Sequence, residues 1–175
     1  KNLVDEAFLY AEEKGVLIVH ASGNDGFDID KVKQYPTKIT LDGKKISTWI
    51  TVGASAMMFD DRFAANFTNY GVTMVDIFAP GDKIYATTPL NTYEYLQGTS
   101  MASPNVAGVA TLIRSYYPSL TAVQVKQIIM ESGTPMKNEV MVGDPKQKAK
   151  FSEISKSGRI VNAYNALILA EKMAK

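Results

Sequence analysis

Ser100 stands in Gly98-Thr99-Ser100-Met101-Ala102-Ser103-Pro104, a run of small residues that opens an apolar helical pattern. A helix start offers free backbone N–H groups and a partial positive charge, which favour an anionic nucleophile or a developing oxyanion beside such a serine. Ser100 is therefore a candidate nucleophile. Its hydroxyl would need an adjacent base, normally a histidine held by a third group. The chain has one His, His20, and it lies in a separate apolar segment. Thr99 or Ser100 also reads as a plain helix N-cap, a commoner role for these residue types than nucleophile. Gly98, Ala102 and Ser103 leave room for a second backbone or a substrate that a cap does not require, and Pro104 suits a first turn.

The second polar constellation is Ser22-Gly23-Asn24-Asp25-Gly26, directly after the apolar run that ends in Val19-His20-Ala21. In open α/β sheets, sites lie beyond the carboxyl ends of the strands, so an amide at Asn24 is placed to donate to an oxyanion. Asn-Asp-Gly is also a strong turn sequence, and the spacing alone leaves both readings open. Asp25, Asp28 and Asp30 offer oxygens to Ca²⁺, but calcium needs several converging ligands, and a solvated acidic loop is the simpler reading. Asp60, Asp61 and Arg62 read as a surface turn. His20, at a strand end in apolar surroundings, reads as packed rather than catalytic.

The elements that would position these residues follow from periodicity. Leu3, Val4, Ala7, Phe8 and Ala11 recur at helical spacing and stop at Gly15. Val16-Leu17-Ile18-Val19 predicts a strand buried on both faces of a parallel sheet. Further strands are expected at residues 49–52, 74–78 and 84–87. Residues 22–47 form a long polar loop with a short hairpin near residues 38–45. After Ser100, Val106, Val109, Ala110, Leu112 and Ile113 predict a helix apolar nearly all round, hence central. Thr121 and Gln124 form a capping box for a helix ending at Gly133, and Asn162 caps a final helix. Residues 139–150, polar and lysine-rich, read as a solvated loop.

Composition narrows the function classes. A chain of 175 residues with 46% hydrophobic and 21% charged residues can bury one sizeable core. The net charge of +1, without a Lys/Arg block, excludes a phosphate-backbone footprint, so nucleic acid is not an expected partner. No apolar run is long enough to span a membrane, and no signal-peptide pattern precedes the first helix. Without Cys, thiolate chemistry and disulfides are excluded. A start at Lys1, inside a helical pattern, is what a trimmed or processed piece would show. A phosphate site at the helix start would need a glycine-rich loop ending in Lys, which is missing.

Taken in order, the two constellations and their surroundings resemble the subtilases, the subtilisin-like serine proteases. The segment from Gly98 through Pro104 to Asn105-Val106-Ala107-Gly108 is similar to the family's serine signature. Val19-His20-Ala21-Ser22-Gly23-Asn24-Asp25-Gly26 resembles its strand and oxyanion-hole asparagine. Thr51-Val52-Gly53-Ala54, Phe78-Ala79-Pro80-Gly81 and Gly158-Arg159-Ile160-Val161-Asn162-Ala163 resemble its next strand, the turn before the serine hairpin and the entry to the last helix. The resemblance implies a three-layer α/β fold with a mostly parallel sheet, present as the C-terminal portion of a catalytic domain over residues 1–175. It implies Ser100 as nucleophile, Asn24 with the Ser100 N–H as oxyanion hole, and Ala21, Ser22, Gly23, Gly98 and Thr99 near bound substrate. Asn105 stands where many members carry His.

The family's Asp and His motifs precede the oxyanion asparagine, and neither is present here. The resemblance therefore implies a serine endopeptidase of secreted or cell-envelope type, acting on protein or peptide, whose base lies on an upstream portion. These 175 residues alone are expected to be inactive, and either to pair with that portion or to self-associate. The chemistry requires no cofactor; structural calcium is compatible with the family, without assigned ligands. The alternative is a subtilase-like pseudoprotease retained for binding or assembly.

Overall fold

Short β-branched runs separated by polar loops build a central sheet in the computed structural model, which describes residues 2–143 and 145–175. The strands are β1 (Ile18–Ala21), β2 (Trp49–Ser55), β3 (Ile77–Pro80), β4 (Ile84–Thr88), β5 (Thr92–Leu96), β6 (Thr134–Pro135), β7 (Glu139–Val142), β8 (Gln147–Lys150) and β9 (Arg159–Ile160). The helices are α1 (Asn2–Glu13), α2 (Thr99–Tyr116), α3 (Ala122–Ser132) and α4 (Ala163–Ala174). The main sheet runs β1-β2-β3-β9-β6, parallel except for β6, with His20 opposite Thr51 and Val52 opposite Ile77.

Alternation along the strands separates two cores. Ile50, Val52 and Ala54 of β2 and Ile77 and Ala79 of β3 pack against α2, α3 and α4. Phe78, between the last two, points to the opposite face and joins Phe63, Val140, Val142 and Phe151. On that face Phe8 of α1 also meets Trp49 edge-on at 4.8 Å. The result is helix, sheet, and a second layer of helix and loops, a three-layer α/β fold.

Four expectations change in detail. β2 is buried throughout, but β1 is only half-buried because it is the edge of the sheet. The strand expected at 74–78 begins at Ile77, since Val75 closes a turn on Gly71 and the Asp76 carboxylate is used by Lys38 and Thr51. Residues 84–88 leave the main sheet and form an antiparallel hairpin with β5. α2 is not surrounded: Ala102, Val106, Ala110 and Ile113 are buried, while Leu112 on the far side is exposed.

Residues 139–150, expected as a solvated loop, form the β7–β8 hairpin instead. Val140 and Val142 alternate with Glu139 and Met141, and that period of two carries both valines into the second core. The capping box at Thr121 and Gln124 forms, and Asn162 accepts from Asn165 N at the start of α4. The short hairpin in the long loop also forms, with Ile39 bridged to Lys45.

Candidate functional site

The site is assembled where β1 ends and α2 begins. Gly98 precedes α2 with φ 146° and ψ 159°, a conformation that glycine alone adopts readily, and as N-cap it offers no side chain to the helix. The capping role open to Thr99 and Ser100 is thus unfilled. The Thr99 hydroxyl turns toward residues 22–27: it donates to Asn24 Oδ1 at 2.9 Å and accepts from Gly23 N at 3.2 Å. Thr99 N adds a second bond to Asn24 Oδ1 at 2.8 Å.

This anchoring decides which end of the Asn24 carboxamide is free. With Oδ1 held by two donors, Nδ2 points away, and among the described residues it donates to no partner. Asn24 is exposed, and so is Ser100, the next residue along the helix from the anchor. The Ser100 N–H, in the first turn, has no acceptor among the described residues either. One side-chain amide and one backbone amide stand open beside an exposed serine hydroxyl, the donor arrangement that stabilises a tetrahedral oxyanion.

The other expected site residues serve the same junction. Ala21 ends β1, half-buried, and Ser22 N continues the ladder to Val52 O at 2.9 Å. The Ser22 hydroxyl is buried and donates to Asn69 O. Gly23 has φ +100°, and a Cβ there would lie 2.4 Å from Asn69 Nδ2, so this position must be glycine. Thr99 is 1% exposed, its hydroxyl engaged with the 22–27 segment. Ser103 Oγ donates to Val19 O, fastening the helix start to β1, while Asn105 Nδ2 donates to Pro80 O and Met101 O.

His20 is not brought to Ser100. It packs on the Trp49 ring, centroids 4.9 Å apart, and burial lowers its pKa below the usual 6.5, so it is neutral at pH 7. It lines a cavity of about 260 Å³ with Ser22, Tyr35, Lys38, Thr51 and Met74. The loop carboxylates serve the chain: Asp28 pairs with Lys31, Asp30 accepts from Thr73 N and Met74 N, and Asp25 accepts from Asn69 Nδ2. Among the described residues, no three His, Cys, Asp or Glu side chains converge as metal ligands.

Three residues that the sequence did not flag, in two clusters, are central to this region. Asn69, fully buried, binds the 22–27 segment, and Lys38 with Asp76 forms a buried ion pair behind the cavity, Nζ 3.1 Å from both carboxylate oxygens. None of the three belongs to a motif with chemical spacing. Their partners lie tens of residues away.

Residues 1–155 match the sequence model of the Subtilase family, Peptidase S8. The chain belongs to the subtilase family. It is 36% identical over 144 residues to subtilisin DY of Bacillus licheniformis, covering 82% of this chain and 47% of that protein. It is 35% identical over 140 residues to M-protease of Shouchella clausii (strain KSM-K16), covering 80% of this chain and 33% of that one. The chain thus spans half or less of the length of these subtilase relatives.

Among solved structures, the one describing the structural basis of subtilase cytotoxin SubAB assembly superposes with a TM-score of 0.75 at 25% identity, over 97% of this chain and 54% of that one. The prenylagaramide maturation protease PagA shares the fold, with a TM-score of 0.72 at 24% identity over 96% of this chain and 55% of that one. No helix among the described residues of this subtilase chain is long and apolar enough to cross a membrane.

Proposed function

We propose that these residues are the nucleophile-bearing portion of a secreted or cell-envelope serine endopeptidase. Ser100 Oγ attacks the peptide carbonyl and passes its proton to a histidine supplied from outside this chain. The carbonyl oxygen, now an oxyanion, accepts from Asn24 Nδ2 and Ser100 N. Collapse expels the amine, which takes the proton back, and leaves an acyl-enzyme that water hydrolyses. The observation that carries this reading is the double anchoring of Asn24 Oδ1 by Thr99, which leaves the amide N–H groups free one residue from Ser100.

The 175 residues alone turn over no substrate, because their single histidine is packed on Trp49. A fluorophosphonate, which reports an activated serine, labels Ser100 in the full-length protein and not in Ser100→Ala. A domain kept only for binding would not take the label. Casein hydrolysis by the isolated 175 residues, abolished by Ser100→Ala, would refute the expected dependence on an outside base.

A further inference from the structure

After Ser22 N makes the last ladder bond, to Val52 O, the chain leaves the sheet, and the remaining backbone groups of residues 22–27 must find other partners. One side chain supplies three of them, while Gly26 N donates to Phe67 O and Phe27 O accepts from Tyr70 N. Asn69 Oδ1 accepts from Asp25 N at 3.0 Å and from Phe27 N at 2.9 Å. Its Nδ2 donates to Ser22 O at 3.0 Å and to Asp25 Oδ2 at 3.3 Å. Two acceptor sites and two donors are the whole capacity of a carboxamide, and here all four are used. The Asn69 backbone adds a bond from its N–H to Gly23 O and accepts from the Ser22 hydroxyl.

These bonds reach residues 22, 23, 25 and 27 and leave out Asn24, which bonds instead to Thr99 of α2. Asn24 is thus bracketed: Asn69 fixes the chain on either side of it, and Thr99 fixes the rotation of its amide. We propose that Asn69 is a positioning residue for catalysis, holding the 22–27 segment so that Asn24 Nδ2 meets the oxyanion. This rests on the reading of Asn24 as an oxyanion donor. The role is separable from folding because Asp25 and Phe27 are exposed. Their N–H groups can turn to water when the carboxamide is removed, which leaves Ser22 O as the one buried partner orphaned, so the segment loosens without exposing either core.

Displacing a preorganised donor lowers the rate of the step in which charge develops more than it weakens ground-state binding. In the full-length protein, Asn69→Ala lowers kcat about 10- to 100-fold with KM changed by less than about threefold, the range typical of lost outer partners. The deciding measurement is the double mutant with Asn24→Ala. If Asn69 acts through Asn24, adding Asn69→Ala to that background costs less than about twofold in kcat. A loss of the same size in both backgrounds, or wild-type kcat in Asn69→Ala, overturns the proposal.

Where Asn69→Ala yields no folded protein, Asn69→Asp carries the same comparison, since it keeps the volume and still accepts from Asp25 N and Phe27 N, though it gives up the bonds to Ser22 O and Asp25 Oδ2. It is expected to give a loss that vanishes without Asn24; a loss that persists unchanged overturns the proposal. A wild type that neither cleaves peptide nor takes a fluorophosphonate overturns this inference and the protease reading together. A labelled, active wild type matched by Asn69→Ala overturns this inference alone.

Discussion

Residues 22–27 and residues 38–46 are both irregular segments fastened to the same sheet by buried polar side chains, but by opposite means. The first is held by the neutral carboxamide of Asn69, with four directional bonds and no formal charge to desolvate. The second is held by the Lys38–Asp76 ion pair, 1% and 0% exposed, with Asp76 also accepting from Thr51 N. Burial outweighs the attraction of Asp76 and lowers the Lys38 pKa below its ordinary value. A neutral clamp fails gently because all its orphaned partners but Ser22 O sit on exposed residues and can reach water. An ion pair in a dry site fails hard because the survivor is a buried, uncompensated charge.

That contrast orders the expected effects on stability, each read by chemical denaturation. Lys38→Met should cost about 3–5 kcal/mol, since it strands Asp76 in the interior. Adding Asp76→Asn should recover much of the loss, because the amide oxygen still accepts from Thr51 N without a charge. No recovery would mean that the packing of the Lys38 stem, rather than its charge, matters most. Asn69→Ala should cost less, about 1–3 kcal/mol, since among its orphaned partners only Ser22 O is buried and none there is an uncompensated interior charge. A cost equal to that of Lys38→Met would erase the distinction between the two clamps.

A third effect, read from pH dependence, concerns Lys126, whose ammonium donates to Trp49 O at 2.6 Å beside the same ion pair. Burial, partly offset by Asp76, lowers its pKa from 10.5 to about 8. Between those values the unfolded chain holds the proton and the folded one releases it, so this group makes stability rise with pH. Below about pH 8 both states are protonated and the full cost of the buried charge is present. Lys126→Met should therefore narrow the gain in stability between about pH 8 and about pH 10. An unchanged difference would show that Lys126 titrates normally.

What the sequence disclosed, and what it hid, follows the distance between partners. The Thr121–Gln124 capping box spans three residues, and periodicity showed α1, α2 and β2 within single windows. The alternation at Val140 and Val142 was also local, but the surrounding lysines masked it. The family-like runs around Asn24 and Ser100 could be read because each is contiguous. The bond from Asp25 to Asn69 crosses 44 residues and that between Lys38 and Asp76 crosses 38, and no local pattern marks either end. Thr99 shows the same limit within the motif itself: a cap by sequence, it becomes the anchor of Asn24 only when β1 and α2 meet.

The Lys38–Asp76 pair also bears on how this protein depends on its surroundings. A carboxylate neutralised by a dissolved cation is stabilised in proportion to that cation's concentration and loses the benefit on dilution or chelation. Asp76 is neutralised by an ammonium carried on its own chain, whose local concentration is fixed once residues 38–46 fold over the sheet. Dialysis cannot remove this counter-ion and a chelator cannot compete for it, so the support it gives to the wall of the cavity is independent of the ionic composition of the medium.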